Sequence, residues 1–213
     1  MKITWHGHAC ISVETPNKYT LVFDPHDGGS IGLKKPNVKA NLVLVTHNHF
    51  DHNAVEVVSE KDTRVFKEFI GQAVIDDLII YGFESFHDKV AGKRRGINTV
   101  YMVELRNKRI VHMGDIGDKP PAELLSKLHG ADILMIPVGG FYTIEPSEAW
   151  EIIEAVEPRN VLPIHYWIKG LNLPIRPVED FLKYVKKYDV KKLETNSFNL
   201  EDFDNSVILP KLQ

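Results

Sequence analysis

The chain of 213 residues is 43% apolar and 26% charged, which places it among globular proteins and outside the weakly hydrophobic, highly charged range of disordered ones. That length predicts one domain over residues 1–213 with a sizeable core. A net charge of −3 with interspersed signs leaves no basic face for nucleic acid, "MKITWHGHAC" carries no apolar leader and no apolar run reaches spanning length, so a soluble, cytoplasmic protein without membrane contact is expected.

The N-terminal third reads as strands. "KITWHG", "CISVET" and "YTLVFD" are short β-branched or aromatic runs, the last two joined through the turn-type "PNK", so an antiparallel start is expected. The only cysteine, Cys10, falls in apolar "ACISV" and reads as a buried thiol. After the Gly/Pro-rich loop "PHDGGSIGLKKPN", the continuous apolar run "LVLVT" suits a strand buried on both faces. "NAVEVVSEK" reads as a short helix, followed by strands "TRVFKEF", "VIDDLIIYGFESF", "NTVYMVEL" and "KRIVHMGD", with "RNK" turning the last pair. The final third alternates helices "PPAELLSKLHG", "PSEAWEIIEAVEP" and "PVEDFLKYVKKYD" with strands "ADILMIPV" and "RNVLPIHY". In the last helix Val178, Phe181, Leu182 and Val185 share one face. Mixed sheet with helices packed outside is the expected α/β architecture.

"LVLVTHNHFDHN" concentrates the chemistry. His47 and His49 are two apart, so on extended chain both rings point to one side, and Asp51 and His52 follow as the chain turns away. Imidazole and carboxylate suit divalent zinc, manganese or iron, and two such ions need more ligands than this stretch holds.

The stretch "THNHFDHN" resembles the signature of the metallo-β-lactamase fold superfamily, together with an aspartate ending an early strand (Asp24), a later histidine (His87), an aspartate after a hairpin (Asp115) and a late histidine (His165). "WHGHAC", "FDP", "HMGD", "PVGGFYT" and "PIHY" bring it nearest to a compact branch of small metal-dependent hydrolases, with the ascorbate-phosphate lactonase branch more distant. The resemblance implies a four-layer αββα sandwich. It also implies two metals per chain, most simply zinc: His47, His49 and His87 on one, Asp51, His52 and His165 on the other, and Asp115 between them. Asp24 is expected to orient a ligand imidazole through its ring N–H, and His8 in "GHA" to act likewise or to serve only the fold. His6, His26, His112 and His129 are left outside the site.

Such a pair activates a shared water as nucleophile, with Asp51 or Asp115 moving the proton, which implies hydrolysis of a small ester, lactone or phosphoester. Lys89, Lys93, Arg94 and Arg95 in "DKVAGKRRGIN" read either as a cationic lip for an anionic substrate or, more simply, as a solvated loop. Phe141, Tyr142 and Thr143 read either as pocket lining or as packing and capping. Two further readings stand beside the hydrolase: a non-catalytic metal-binding sensor or subunit, and a nuclease, which the balanced charge disfavours. No sequence face reads as an oligomer interface.

Overall fold

The structure, a computed structural model, describes residues 1–212. Its strands in chain order are β1 (Lys2–Trp5), β2 (Ile11–Glu14), β3 (Thr20–Phe23), β4 (Leu42–Val45), β5 (Arg64–Lys67), β6 (Gly71–Ile75) and β7 (Leu78–Phe86). They continue as β8 (Ile97–Leu105), β9 (Lys108–His112), β10 (Ile133–Pro137), β11 (Asn160–Ile164), β12 (Asp189–Lys192), β13 (Ser197–Asn199) and β14 (Ser206–Leu209). The helices are α1 (Val55–Val58), α2 (Ala122–Leu128), α3 (Pro146–Val156) and α4 (Val178–Leu182).

Two mixed sheets result, one ordered β13-β1-β2-β3-β4-β5 and one ordered β12-β14-β11-β10-β9-β8-β7-β6. Their facing side chains form one core, with Trp5, Leu21, Phe23, Leu42 and Leu44 from the first sheet and Ile80, Tyr101, Val103 and Ile110 among those from the second. Alternation along the strands does the sorting: Val22, Val43 and Val45 point to the opposite face, where they pack with Cys10, Ala40 and Val58 of α1. On the outer face of the larger sheet, α3 buries Ala149, Trp150, Ile152, Ile153 and Val156, a stripe of helical period. It starts at Pro146 behind a capping box between Glu145 and Glu148. The expected four layers are present, although the helical layer over the smaller sheet is thin. Among the described residues no helix is long and apolar enough to cross a membrane.

Three expectations are corrected. "VIDDLIIYGFESF" is two strands, β6 and β7, paired as a hairpin and reversed at Asp76 and Asp77, where Asp76 takes a left-handed backbone (φ 53°) that aspartate tolerates better than most residues. The helix expected over "PVEDFLKYVKKYD" stops at Leu182, because the chain must turn back to lay β12 against β14. Its apolar face still packs as expected, with Val178 and Phe181 buried and Leu182 and Val185 against the core. The strands β12, β13 and β14 were not expected at all.

Candidate metal centre

Strand direction assembles the site. β3 and β4 run parallel, as do β9, β10 and β11, while β7 and β9 are each antiparallel to β8 and therefore parallel to one another. Asp24 follows β3, the His47–His52 stretch follows β4, His87 follows β7, Asp115 lies just beyond β9 and His165 follows β11. All leave C-terminal strand ends, and a hydrogen bond from Thr99 N–H to the Thr46 carbonyl (2.8 Å) ties the two sheets at this edge. His47 and His49 lie just beyond β4 rather than within the extended strand, with their rings edge to face at 4.6 Å.

Two glycines make the approach possible. A Cβ on Gly114, whose φ is +56°, would sit 2.3 Å from Asn98 Oδ1 and 2.6 Å from Thr46 Oγ1, and one on Gly117 would sit 2.3 Å from the His87 carbonyl carbon. Only glycine lets "MGDIG" bring Asp115 between the histidine loops.

One ligand atom from each of His47, His49 and His87 falls within 4.8 Å of the others, and the same holds for His8, Asp51, His52 and His165. Asp115 Oδ2 lies between the groups, 3.0 Å from His165 Nε2, 3.3 Å from His52 Nε2, 3.4 Å from His87 Nε2 and 3.8 Å from His47 Nε2. All seven residues singled out as ligands in the sequence are thus together, and His8 joins them with its own Nε2 aimed inward.

Hydrogen bonds fix which nitrogen faces the site. Asp24 Oδ2 accepts from His52 Nδ1–H (3.1 Å) and from the Thr46 hydroxyl (2.7 Å), and Oδ1 accepts from Thr46 N–H (2.8 Å). With its proton committed to Asp24, the Thr46 hydroxyl can only accept from His47 Nδ1–H (2.9 Å). Both rings therefore turn Nε2 toward the site, the nitrogen through which a metal would bind once any proton on it is displaced. Asn98 performs the corresponding service for Asp115: its Oδ1 accepts the Asp115 N–H (2.9 Å) while its Nδ2 donates to Ser85 Oγ and the Met113 carbonyl. Thr46 and Asn98 were given no role from sequence; Thr46 stands beside the motif, whereas nothing in "GINTV" distinguishes Asn98.

Burial opposes charge on His52, yet Asp115 and Asp51 hold its pKa well above the usual imidazole range. Burial and then neighbouring His52 hold His47 well below it, and burial with neighbouring His165 pulls His8 down to about 3. Asp115 lies well below the carboxylate range despite its burial, chiefly through His165 and His52. Asp24, Asp51 and Asp115 are buried, and among the described residues no lysine or arginine pairs with them. His47 Nε2 and Asp115 Oδ1 are buried without a partner. Three buried carboxylates with one imidazole, His52, raised to offset them leave surplus negative charge, so this donor set fits divalent cations.

Around the mouth, the basic loop is partly committed to structure. Asp88 accepts four backbone N–H groups, from Val90, Gly92, Arg94 and Arg95, and Lys89 pairs with Glu148. Arg95 donates to the carbonyls of Phe141 (3.2 Å) and Tyr142 (2.8 Å) and lies 5.0 Å over the Tyr142 ring. Lys93 and Arg94 form no ion pair among the described residues. Phe141 is exposed, while Thr143 is buried. Of the histidines left outside the site, His112 stacks on Phe23 and bonds the Ala9 carbonyl (2.9 Å), and His129 pairs with Glu157 at the surface. A cleft of about 1120 Å³ lined by Lys2, Lys34, Lys35, Lys169 and Lys192 among others contains no member of the histidine cluster.

This geometry has relatives. Residues 2–165 match the family model described as a β-lactamase superfamily domain. A candidate Zn-dependent hydrolase of the metallo-β-lactamase superfamily from Thermotoga maritima superposes with a TM-score of 0.80 at 31% identity, covering 100% of this chain and 99% of that one. UPF0173 metal-dependent hydrolases from Natranaerobius thermophilus and Thermoplasma acidophilum are each 28% identical, over 96% and 78% of this chain and 98% and 83% of theirs. The chain belongs to the β-lactamase superfamily, with the metallo-β-lactamase fold. Within it, the relatives place the chain in the compact branch of metal-dependent hydrolases.

Proposed function

We propose that the protein hydrolyses a small ester, lactone or phosphoester with two divalent ions, zinc by preference and manganese or iron as alternatives, and that it does so in the cytoplasm. The observation that carries this reading is the meeting of two ligand clusters at Asp115 Oδ2. His47, His49 and His87 would hold one ion, Asp51, His52 and His165 the other, and Asp115 would join them. Bound as a pair, such ions supply a water acidic enough to attack at neutral pH and polarise the electrophile. Asp51 is the better placed proton carrier: its side chain is 11% exposed, against 3% for Asp115, whose Oδ2 is ringed by imidazoles. Lys93 and Arg94, on the loop after His87, favour a substrate bearing an anionic group.

The test is metal content by elemental analysis on wild type and His165→Ala purified without chelator, with turnover of bis(p-nitrophenyl) phosphate and of ester and lactone panels. About two metals per chain, falling to about one with loss of turnover in the variant, is the expected result. Wild type that takes up no stoichiometric metal, or is metal-loaded yet inert on every panel, overturns the reading.

A further inference from the structure

We propose that His8 is itself a metal ligand, completing a set of four with Asp51, His52 and His165. This rests on the dinuclear reading above and makes the centre asymmetric.

Three observations carry it. His8 Nε2 lies 3.1 Å from Asp51 Oδ2 and 3.2 Å from His52 Nε2, which Asp24 has already turned toward the same point. Those separations are what ligand atoms show around an ion bound at about 2.0–2.2 Å. Second, the His8 ring is fully buried and its Nδ1 has no partner, so its only polar contacts lie inside the cluster; His165 is buried in the same way, with Nδ1 equally free and Nε2 inward. Third, the backbone is held in a costly conformation to aim the ring. His8 and His165 both adopt left-handed φ, 54° and 51°, and are locked together where the His8 carbonyl accepts from His165 N–H (3.2 Å) and Trp5 Nε1–H (3.0 Å).

With Asp115 shared, one ion then has three histidines of its own, while the other has three histidines and a carboxylate. The less crowded ion keeps the open position that substrate needs.

Proton NMR of the cobalt(II)-substituted protein tests this, because the ring N–H of each cobalt-bound histidine gives a strongly shifted signal that exchanges in D2O. His8→Asn, which tolerates a left-handed φ but is too short to reach the ion, and His8→Gln should each lose one such signal, and one of the two ions should bind at least ~10-fold more weakly. Two cobalt ions bound with an unchanged set of signals overturns the inference and leaves the dinuclear reading intact. Wild type without stoichiometric cobalt ends both. If neither variant folds, X-ray absorption on wild type decides: six histidines over two ions average about three imidazoles per ion, and a mean of about two and a half overturns the inference.

Discussion

Thr46→Val isolates the hydrogen bonds behind the proposed metal ligands from the ligands themselves. Valine keeps the shape and the backbone N–H that Asp24 Oδ1 accepts, but removes the hydroxyl that donates to Asp24 Oδ2 at 2.7 Å and accepts from His47 Nδ1–H at 2.9 Å. A hydrogen bond to a charged partner contributes ~1.5–3 kcal/mol, and a buried donor left without a partner costs ~1–3 kcal/mol. The first loss weakens the hold on His52 through Asp24, and the second frees His47 to rotate or change tautomer. At ~1.4 kcal/mol per factor of ten, the tightest-bound metal should lose about 10- to 100-fold in affinity. Competition with a chromophoric chelator measures this, and urea unfolding of the metal-free protein should show a separate loss of about 1–3 kcal/mol. Thr46→Ser should stay near wild type. Valine within about twofold of wild-type affinity would refute the relay.

Gly114→Ala should cost about 1–3 kcal/mol from its left-handed φ alone, and more from the 2.3 Å approach to Asn98; an unchanged melting temperature would contradict the close packing described. The metal-free protein should lose stability as pH falls from 7 to 5. Six histidines (His6, His8, His26, His47, His49 and His112) have folded pKa values below the unfolded 6.5, so below that pH the unfolded chain binds more protons; only His52, raised above 6.5, acts in the opposite sense. Urea midpoints that are flat or rising between pH 7 and 5 would count against this. Cys10, fully buried with its thiol pKa pushed up by burial, should not react with Ellman's reagent until the protein unfolds; fast modification of the native protein would show that the thin layer under α1 opens.

The clustering of these side chains was legible because its core is local in sequence. His47 to His52 announce themselves within six residues, and Asp24, Asp115 and His165 each end an apolar run. Thr46 and Asn98 were less legible because a hydroxyl or amide reveals its role only through its partners, here Asp24 and Asp115, which folding brings from elsewhere in the chain. Two of the missed strands, β12 and β13, have the same cause, whereas β14 is a short, wholly buried "SVIL" that the sequence did display. β12 is exposed along its length and β13 is three residues long; neither carries an apolar alternation, and both exist because β14 and β1 offer a free edge. The turn at Asp76 and Asp77 was hidden because a pair of acids carries a weaker turn signal than a glycine.

The edge between β1 and β13 bears on biosynthesis. β13 pairs Lys2 with Asn199 and Thr4 with Ser197, and Trp5, the residue that pins the His8 carbonyl, exchanges hydrogen bonds with Asn196. His165, the last of the clustered donors in the chain, precedes β13 by about 30 residues, so at ~5–20 residues per second the nascent chain spends seconds with its donors made while β1 is paired on one side only, to β2. Removing residue 196 and everything after it, and with it β13 and the Asn196 contacts to Trp5, should therefore weaken metal binding at a centre that contains none of the deleted residues.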